Sequence, residues 1–213
     1  MSAPPSRGTQ LQGVLALADI SGYTGFLQGV SDAHHDIIVE ADEPPVAYAL
    51  ISSLLDTLVT AVVPPFRLVK FEGDALFVVA DDPVISLRGD RLLDCLRGCY
   101  AAFVEQLGLA RTQWTCACDA CARVSSLGLK FVVHHGGWVT QRIVDHVELA
   151  GKDVIVVHRL LKNHARDVVG QGPYAVISDA AIDALGVPSV GLIPITETYE
   201  DLPPVPVHVL ALG

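Results

Sequence analysis

Residues 14–27, VLALADISGYTGFL, decide the fold of this chain. The apolar run Val14 to Ala18 ends at Asp19 and is followed by the turn-prone SGYTG, which reads as a buried strand delivering an acid to its own end. A second acid arrives in the same way. FRLVKFEG, residues 66–73, and DALFVVA, residues 74–80, are short β-prone runs joined around Gly73 and Asp74, a strand, tight turn, strand arrangement.

Between these two regions, residues 31–45 mix acids with His34, His35, Pro44 and Pro45 and read as a loop or a frayed helix end. From Val46 the pattern turns helical, with Ile51, Leu54, Leu55, Leu58, Val59 and Val62 on one face, until Pro64 and Pro65 stop it. A second amphipathic helix runs from about Asp90 to Leu107, with Leu92, Leu96, Cys99 and Phe103 recurring at helical spacing. Strands LKFVVHH (129–135) and GWVTQRIV (137–144) follow, and GKDVIVVHRLLKNHA (151–165) has a helical period. The tail adds a strand at Tyr174 to Ile177, a short helix from Asp179, and strands around Gly191 to Thr198 and Val205 to Leu212.

The order strand, helix, strand, strand, helix, strand predicts an α+β fold, a ferredoxin-like βαββαβ sandwich extended at the C-terminus. Helices are expected over one face of an antiparallel sheet, with the other face free to dimerise or bind. Residues 1–11 read as a flexible tail and 12–213 as a single domain, with a Cys-rich insertion around 112–126.

Of the 213 residues, 51% are hydrophobic and only 18% charged, a balance that points to apolar surface buried in a partner interface. No segment approaches the roughly 20 uninterrupted apolar residues of a membrane helix, and the start, MSAPPSRGTQ, lacks a secretory apolar stretch. A soluble, cytoplasmic protein is expected. A net charge of −10 with no basic run argues against nucleic-acid binding, which needs clustered Lys and Arg.

Paired carboxylates at the ends of neighbouring strands supply the close-set oxygens that a hard divalent cation requires, and Asp19 and Asp74 are the candidates. The competing reading has Asp19 capping a helix that starts near Tyr23 and Asp74 serving as an ordinary turn residue. A second metal is suggested by CACDAC, residues 116–121. Cys116, Cys118 and Cys121 offer three thiolates for tetrahedral Zn²⁺, with Cys99 or Cys95 of the preceding helix as the fourth ligand. Against this stand free or redox-active thiols, with Cys99 a core residue. The doublets His34–His35 and His134–His135 read as polar surface or satisfied core.

DISGYTGFL and KFEGDALFV together resemble the two metal-binding signatures of class III adenylate and guanylate cyclases. LKFVVHHGG is similar to the cyclase strand that leads into a small-residue turn, and ELAGKDVIVVHRL to the segment carrying that family's base-reading and catalytic residues. The combination of DISGYTGFL, KFEGDALF, CACDAC, LKFVVHHG and ELAGKDVIVVHRLLKN resembles, more closely, a bacterial family related to these cyclases, from which no activity is carried over. The resemblance spans roughly residues 12–185.

For the cyclases, the resemblance implies that Asp19, Asp74 and the backbone carbonyl of Ile20 hold Mg²⁺ or Mn²⁺ in a two-metal site. It implies that Lys70 and Glu148 read the purine edge, and that Arg159 stabilises phosphate charge during attack by the ribose hydroxyl. Competing readings make Lys70 an exposed strand lysine, Glu148 a strand-end acid and Arg159 one half of a salt bridge.

Two departures stand out. Ile155, without hydrogen-bonding capacity, occupies the position of the catalytic asparagine, and the final LIPITETYEDLPPVPVHVLALG contains no Lys or Arg to grip a triphosphate. Loss of one transition-state donor commonly lowers rates about 10²–10³-fold. Two functions are therefore expected as alternatives. One is a homodimeric purine nucleotidyl cyclase with the metal site of one subunit facing Lys70, Glu148 and Arg159 of the other. The other is a catalytically degenerate module that binds a nucleotide or other small ligand without turnover.

Overall fold

The computed structural model describes residues 9–35, 46–82, 87–113, 116 and 118–213. Continuous apolar runs mark strands buried on both faces, and two such runs lie side by side at its centre. Strand β1 (Gln10–Ser21) pairs antiparallel with β3 (Ala75–Asp81), Leu17 opposite Phe77. Every residue from Val14 to Ala18 and from Ala75 to Ala80 is buried.

Helix α1 (Tyr23–Ala33) follows β1 directly. Its entry residue is Gly22, with φ 86 and no side-chain cap, so Asp19 does not cap it. Helix α2 (Val46–Val62) buries Ile51, Leu54, Leu58 and Val62, the face that the spacing predicts, with Leu55 and Val59 partly buried beside them. Strand β2 (Arg67–Glu72) turns into β3 through Gly73, whose φ of 67 favours glycine, and Asp74. Helix α3 (Gly89–Gln113) buries Leu92, Leu96, Cys99, Phe103 and Leu107. It runs past the predicted end at Leu107 because its last turns are largely exposed and carry no core periodicity to read.

A short helix α4 (Asp119–Ala122) and a 3₁₀ turn (Arg123–Ser126) lead into β4 (Gly128–Ile143). Two strands separated at the glycines were expected here, yet β4 is one 16-residue strand. Gly136 and Gly137 do not break it. They admit the Asp153 carboxylate, which accepts from the Gly137 N–H at 2.7 Å and which a Cβ on Gly136 would strike.

Strand β5 (His146–Ala150) returns along β4, and helix α5 (Lys152–Arg159) follows, as the helical period predicts. The chain closes with α6 (Arg166–Val169), β6 (Tyr174–Ser178), α7 (Asp179–Leu185), β7 (Leu192–Glu197) and β8 (Val205–Ala211).

The sheet order is β2-β3-β1-β4-β6-β8-β7, with β5 paired to β4. The four strands β2-β3-β1-β4, with the helices between them, are the ferredoxin-like βαββαβ unit, and β6, β8 and β7 form the C-terminal extension. One face packs Val14, Ala16 and Ala18 against Leu54, Leu58, Leu92 and Phe103 of α2 and α3. The opposite face was expected to be free. Over its central strands it is covered instead, Leu15, Leu17, Phe77 and Val132 packing with Val156, Val157 and Leu160 of α5. Strands that are apolar on both sides demand a second layer, and α5 supplies it. No helix among the described residues is long and apolar enough to cross a membrane.

Candidate functional site

Register brings the two acids together. Asp19 lies opposite Ala75 on β3 and opposite Lys130 on β4, while the Ile20 N–H donates to the Asp74 carbonyl at 3.2 Å. The β2–β3 turn is thereby held against the end of β1. Asp19, Ile20 and Asp74 line one cleft of about 510 Å³, together with Lys130, Lys162 and Arg166.

The cleft carries electrostatic tension. Burial first, and then the charge of Asp19, push the Asp74 carboxyl above its ordinary range, with Lys130 acting in the opposite sense. Lys130 Nζ donates to Asp19 Oδ2 at 3.0 Å and to the Leu161 carbonyl at 3.3 Å, with both charged side chains largely buried. Tyr23, at the start of α1, has its phenol pushed up by burial and by Asp74. Two carboxylates and a strand-end carbonyl form a hard oxygen donor set, and a divalent cation relieves the repulsion between the acids, so these residues fit such an ion. The basic trio beside them suits an anionic ligand.

Local spacing did not reveal this trio. Lys130 enters through the antiparallel register that sets it across from Asp19, which the sequence alone does not display. Lys162 and Arg166 reach the cleft from beyond α5, a matter of tertiary packing.

A second polar group forms where β2 meets β5. Lys70 Nζ stands 3.0 Å from Glu148 Oε2 and 3.3 Å from Glu72 Oε1, and His158 Nε2 stands 3.0 Å from Glu72 Oε1. The Glu148 hydrogen bond, ahead of Glu72, holds the Lys70 ammonium above its ordinary range. Lys70 and Glu148, paired by resemblance, are thus in contact. Arg159 is exposed at the end of α5, does not line the acidic cleft, and enters no ion pair among the described residues. Ile155, one turn before it, is 54% exposed.

His34, which closes α1, places Nε2 3.3 Å from Cys118 Sγ, 3.3 Å from Cys121 Sγ and 3.6 Å from Cys116 Sγ. The Cys121 N–H donates to Cys118 Sγ and, as the leading cause, lowers that thiol to about 6. Cys99 is elsewhere, fully buried between the helices and the sheet, where burial pushes its thiol up to about 12. Its helical spacing already marked it as core, and the residue that joins Cys116, Cys118 and Cys121 is His34 rather than the expected Cys99 or Cys95.

The remaining histidine doublet is structural. His134 is buried between Ser178 Oγ (2.8 Å) and Asp153 Oδ1 (3.4 Å), and His135 contacts Asp82 at 3.0 Å. Ser178 is 1% exposed and its hydroxyl caps α7, so this serine, histidine and aspartate hold elements together.

Solved structures share this architecture. The adenylyl cyclase CyaB from P. aeruginosa superposes with a TM-score of 0.67 at 13% identity, covering 95% of both chains. The guanylyl cyclase Cya2 gives 0.59 at 13% identity, covering 97% of this chain and 100% of its own. The guanylate cyclase domain of RhGC from Catenaria anguillulae in complex with GTP gives 0.56 at 12% identity, covering 95% and 98%. The fold is therefore that of class III adenylyl and guanylyl cyclase domains. In sequence, the chain is 30% identical over 163 residues, 76% of its length, to the uncharacterized protein Rv2561/Rv2562 of Mycobacterium tuberculosis, of which it covers 73%. Residues 51–168 match the family described as "Protein of unknown function (DUF2652)", and the chain belongs to that family.

Proposed function

We propose that two copies of this chain bind a purine nucleoside triphosphate together with Mg²⁺ or Mn²⁺ at their interface, in the manner of a class III nucleotidyl cyclase. The observation that carries this reading is the single cleft in which Asp19, Asp74 and Ile20 meet Lys130, Lys162 and Arg166. A divalent ion held by the two carboxylates and the Ile20 carbonyl would offset phosphate charge and favour the ionised ribose hydroxyl. Lys130, Lys162 and Arg166 bind phosphate oxygens, a role the final strands cannot fill because they lack Lys and Arg. Lys70 donates to a purine ring nitrogen and Glu148 accepts from an exocyclic amine, which orients the base. Arg159, with its permanent charge, meets the phosphates from the partner subunit.

Dimerisation is supported by the exposed apolar side chains around the base-reading pair. Phe71, Val147 and Ile155 are 47%, 57% and 54% exposed, on β2, β5 and α5. The GTP complex of the Catenaria anguillulae domain, which shares the fold, supports the ligand class. A protein that binds nucleoside triphosphates and divalent ions and keeps its thiols reduced would work in the cytoplasm.

Ile155 favours a second reading, a module that binds nucleotide without turnover, because an aliphatic side chain cannot orient a ribose. A panel of nucleotides with Mn²⁺, read for thermal stabilisation and for cyclic product, tests both. Stabilisation with product, both lost in Asp19→Ala, supports cyclase activity. Stabilisation without product supports the binding module, and no stabilisation by any nucleotide sinks both readings.

A further inference from the structure

We propose that His34, Cys116, Cys118 and Cys121 bind one structural zinc ion that fastens the end of α1 to the insertion preceding β4. The inference is independent of the nucleotide reading. It rests on four ligand atoms, from residues up to 87 positions apart, that lie within 4.8 Å of one another. Tetrahedral zinc with bonds of about 2.3 Å to sulfur and about 2.0–2.1 Å to nitrogen sets each nitrogen about 3.5–3.6 Å from each sulfur. The observed separations from His34 Nε2 are 3.3, 3.3 and 3.6 Å. One imidazole nitrogen facing three sulfurs at these distances is the edge pattern of a Cys₃His site. It is a poor pattern for hydrogen bonding, since one ring nitrogen has a single proton or lone pair to share among them.

The surroundings suit a closed site. Cys121 is buried, while His34, Cys116 and Cys118 are half-buried, and the backbone N–H of Cys121 donates to Cys118 Sγ at 3.4 Å. Such donors orient thiolate ligands and stabilise their charge. Four protein ligands leave no open position, so the ion is structural and takes no substrate.

The site also has something to hold. Between α3 and β4 the described residues form only α4 and one 3₁₀ turn, and a chain with so little regular structure gains order from a metal staple. Helix α1 packs closely on α4, where a Cβ on Gly29 would sit 3.6 Å from the Ala120 Cβ. The first turn of α1, Tyr23 to Gly25, lines the acidic cleft. Zinc at the far end of α1 thus fixes the angle of a helix that walls the cleft.

The test uses the full chain, kept reduced and loaded with Zn²⁺ or, separately, Co²⁺. Expected are one metal per chain, the visible bands of tetrahedral thiolate-bound cobalt, and a lower Tm after chelation. His34→Ala weakens cobalt binding by at least about tenfold and alters the bands. His34→Cys restores affinity with the bands of a four-thiolate set, and Cys99→Ser changes neither content nor spectrum. A reduced chain, folded by circular dichroism, that takes up no metal overturns the proposal. So does a site that Cys99→Ser empties and His34→Ala leaves intact. Should His34→Ala fail to fold, the contrast between His34→Cys and Cys99→Ser still decides.

Discussion

The ammonium of Lys130 stands 3.0 Å from Asp19 Oδ2, so a tethered cation already serves the carboxylate pair. The side chains are 20% and 17% exposed, which shields the pair from solvent screening. Lys130→Met leaves Asp19 and Asp74 adjacent without that ammonium, and stability falls by about 1–3 kcal/mol. Mn²⁺ then restores more stability to the variant than it adds to the native chain, because a competitor for the acids is gone. If the cleft takes a triphosphate as proposed, its binding weakens in the same variant, since Lys130 also lines the cleft. Denaturation with and without Mn²⁺ checks this, and equal Mn²⁺ gains in both proteins would show that Lys130 does not compete with the ion.

Lys70 and Glu148 invite a different test, because their side chains are 39% and 38% exposed and their ion pair contributes little to the fold. Lys70→Met and Glu148→Gln are expected to change stability by less than about 0.5 kcal/mol. If the pair reads a purine as proposed, each substitution removes one charge-assisted hydrogen bond to it, worth about 1.5 kcal/mol or tenfold in affinity. Calorimetric titration with ATP and Mn²⁺ measures it. Unchanged affinity in both variants would place the base elsewhere.

Elements whose own side chains dictate them were legible in the sequence. The apolar runs of β1 and β3 and the spacing of Ile51, Leu54, Leu58 and Val62 mark strands and a helix without a distant partner, although the layer that α5 adds over the second face was not read from them. Features that depend on a remote side chain were not. Gly136 and Gly137 look like a break until the Asp153 carboxylate, 16 residues on, is seen against them. His34 looks like loop polarity until Cys116, 82 residues away, comes within 3.6 Å. The acids were legible because strands delivered them, whereas Lys162 and Arg166 enter their cleft only through the packing after α5.

His134 makes part of the stability depend on pH. The Asp153 carboxylate can only accept, so His134 Nε2 donates to it, which in a neutral imidazole leaves Nδ1 to accept from the Ser178 hydroxyl, itself an acceptor for the Ala181 N–H. Burial of the ring favours that neutral form over the imidazolium. Burial lowers the His134 value, outweighing Asp153, which acts in the opposite sense, while His135 and Lys152 lower it further. An imidazole in the unfolded chain titrates near 6.5. Between that value and the lower folded one, the unfolded chain binds more protons, so the contribution is present above about 6.5 and is lost as pH falls. His164, raised by Glu197, acts in the opposite sense, its contribution present below about 6.5 and lost as pH rises through its folded value. His134→Asn keeps an acceptor for Ser178 and removes the titration, so the difference between native and variant stability isolates this one group from the other histidines. Denaturant midpoints from pH 7.5 to 5 should show a difference that is constant above about 6.5 and shifts against the native chain below it. Parallel curves across the whole range would mean that His134 is protonated without penalty in the folded state.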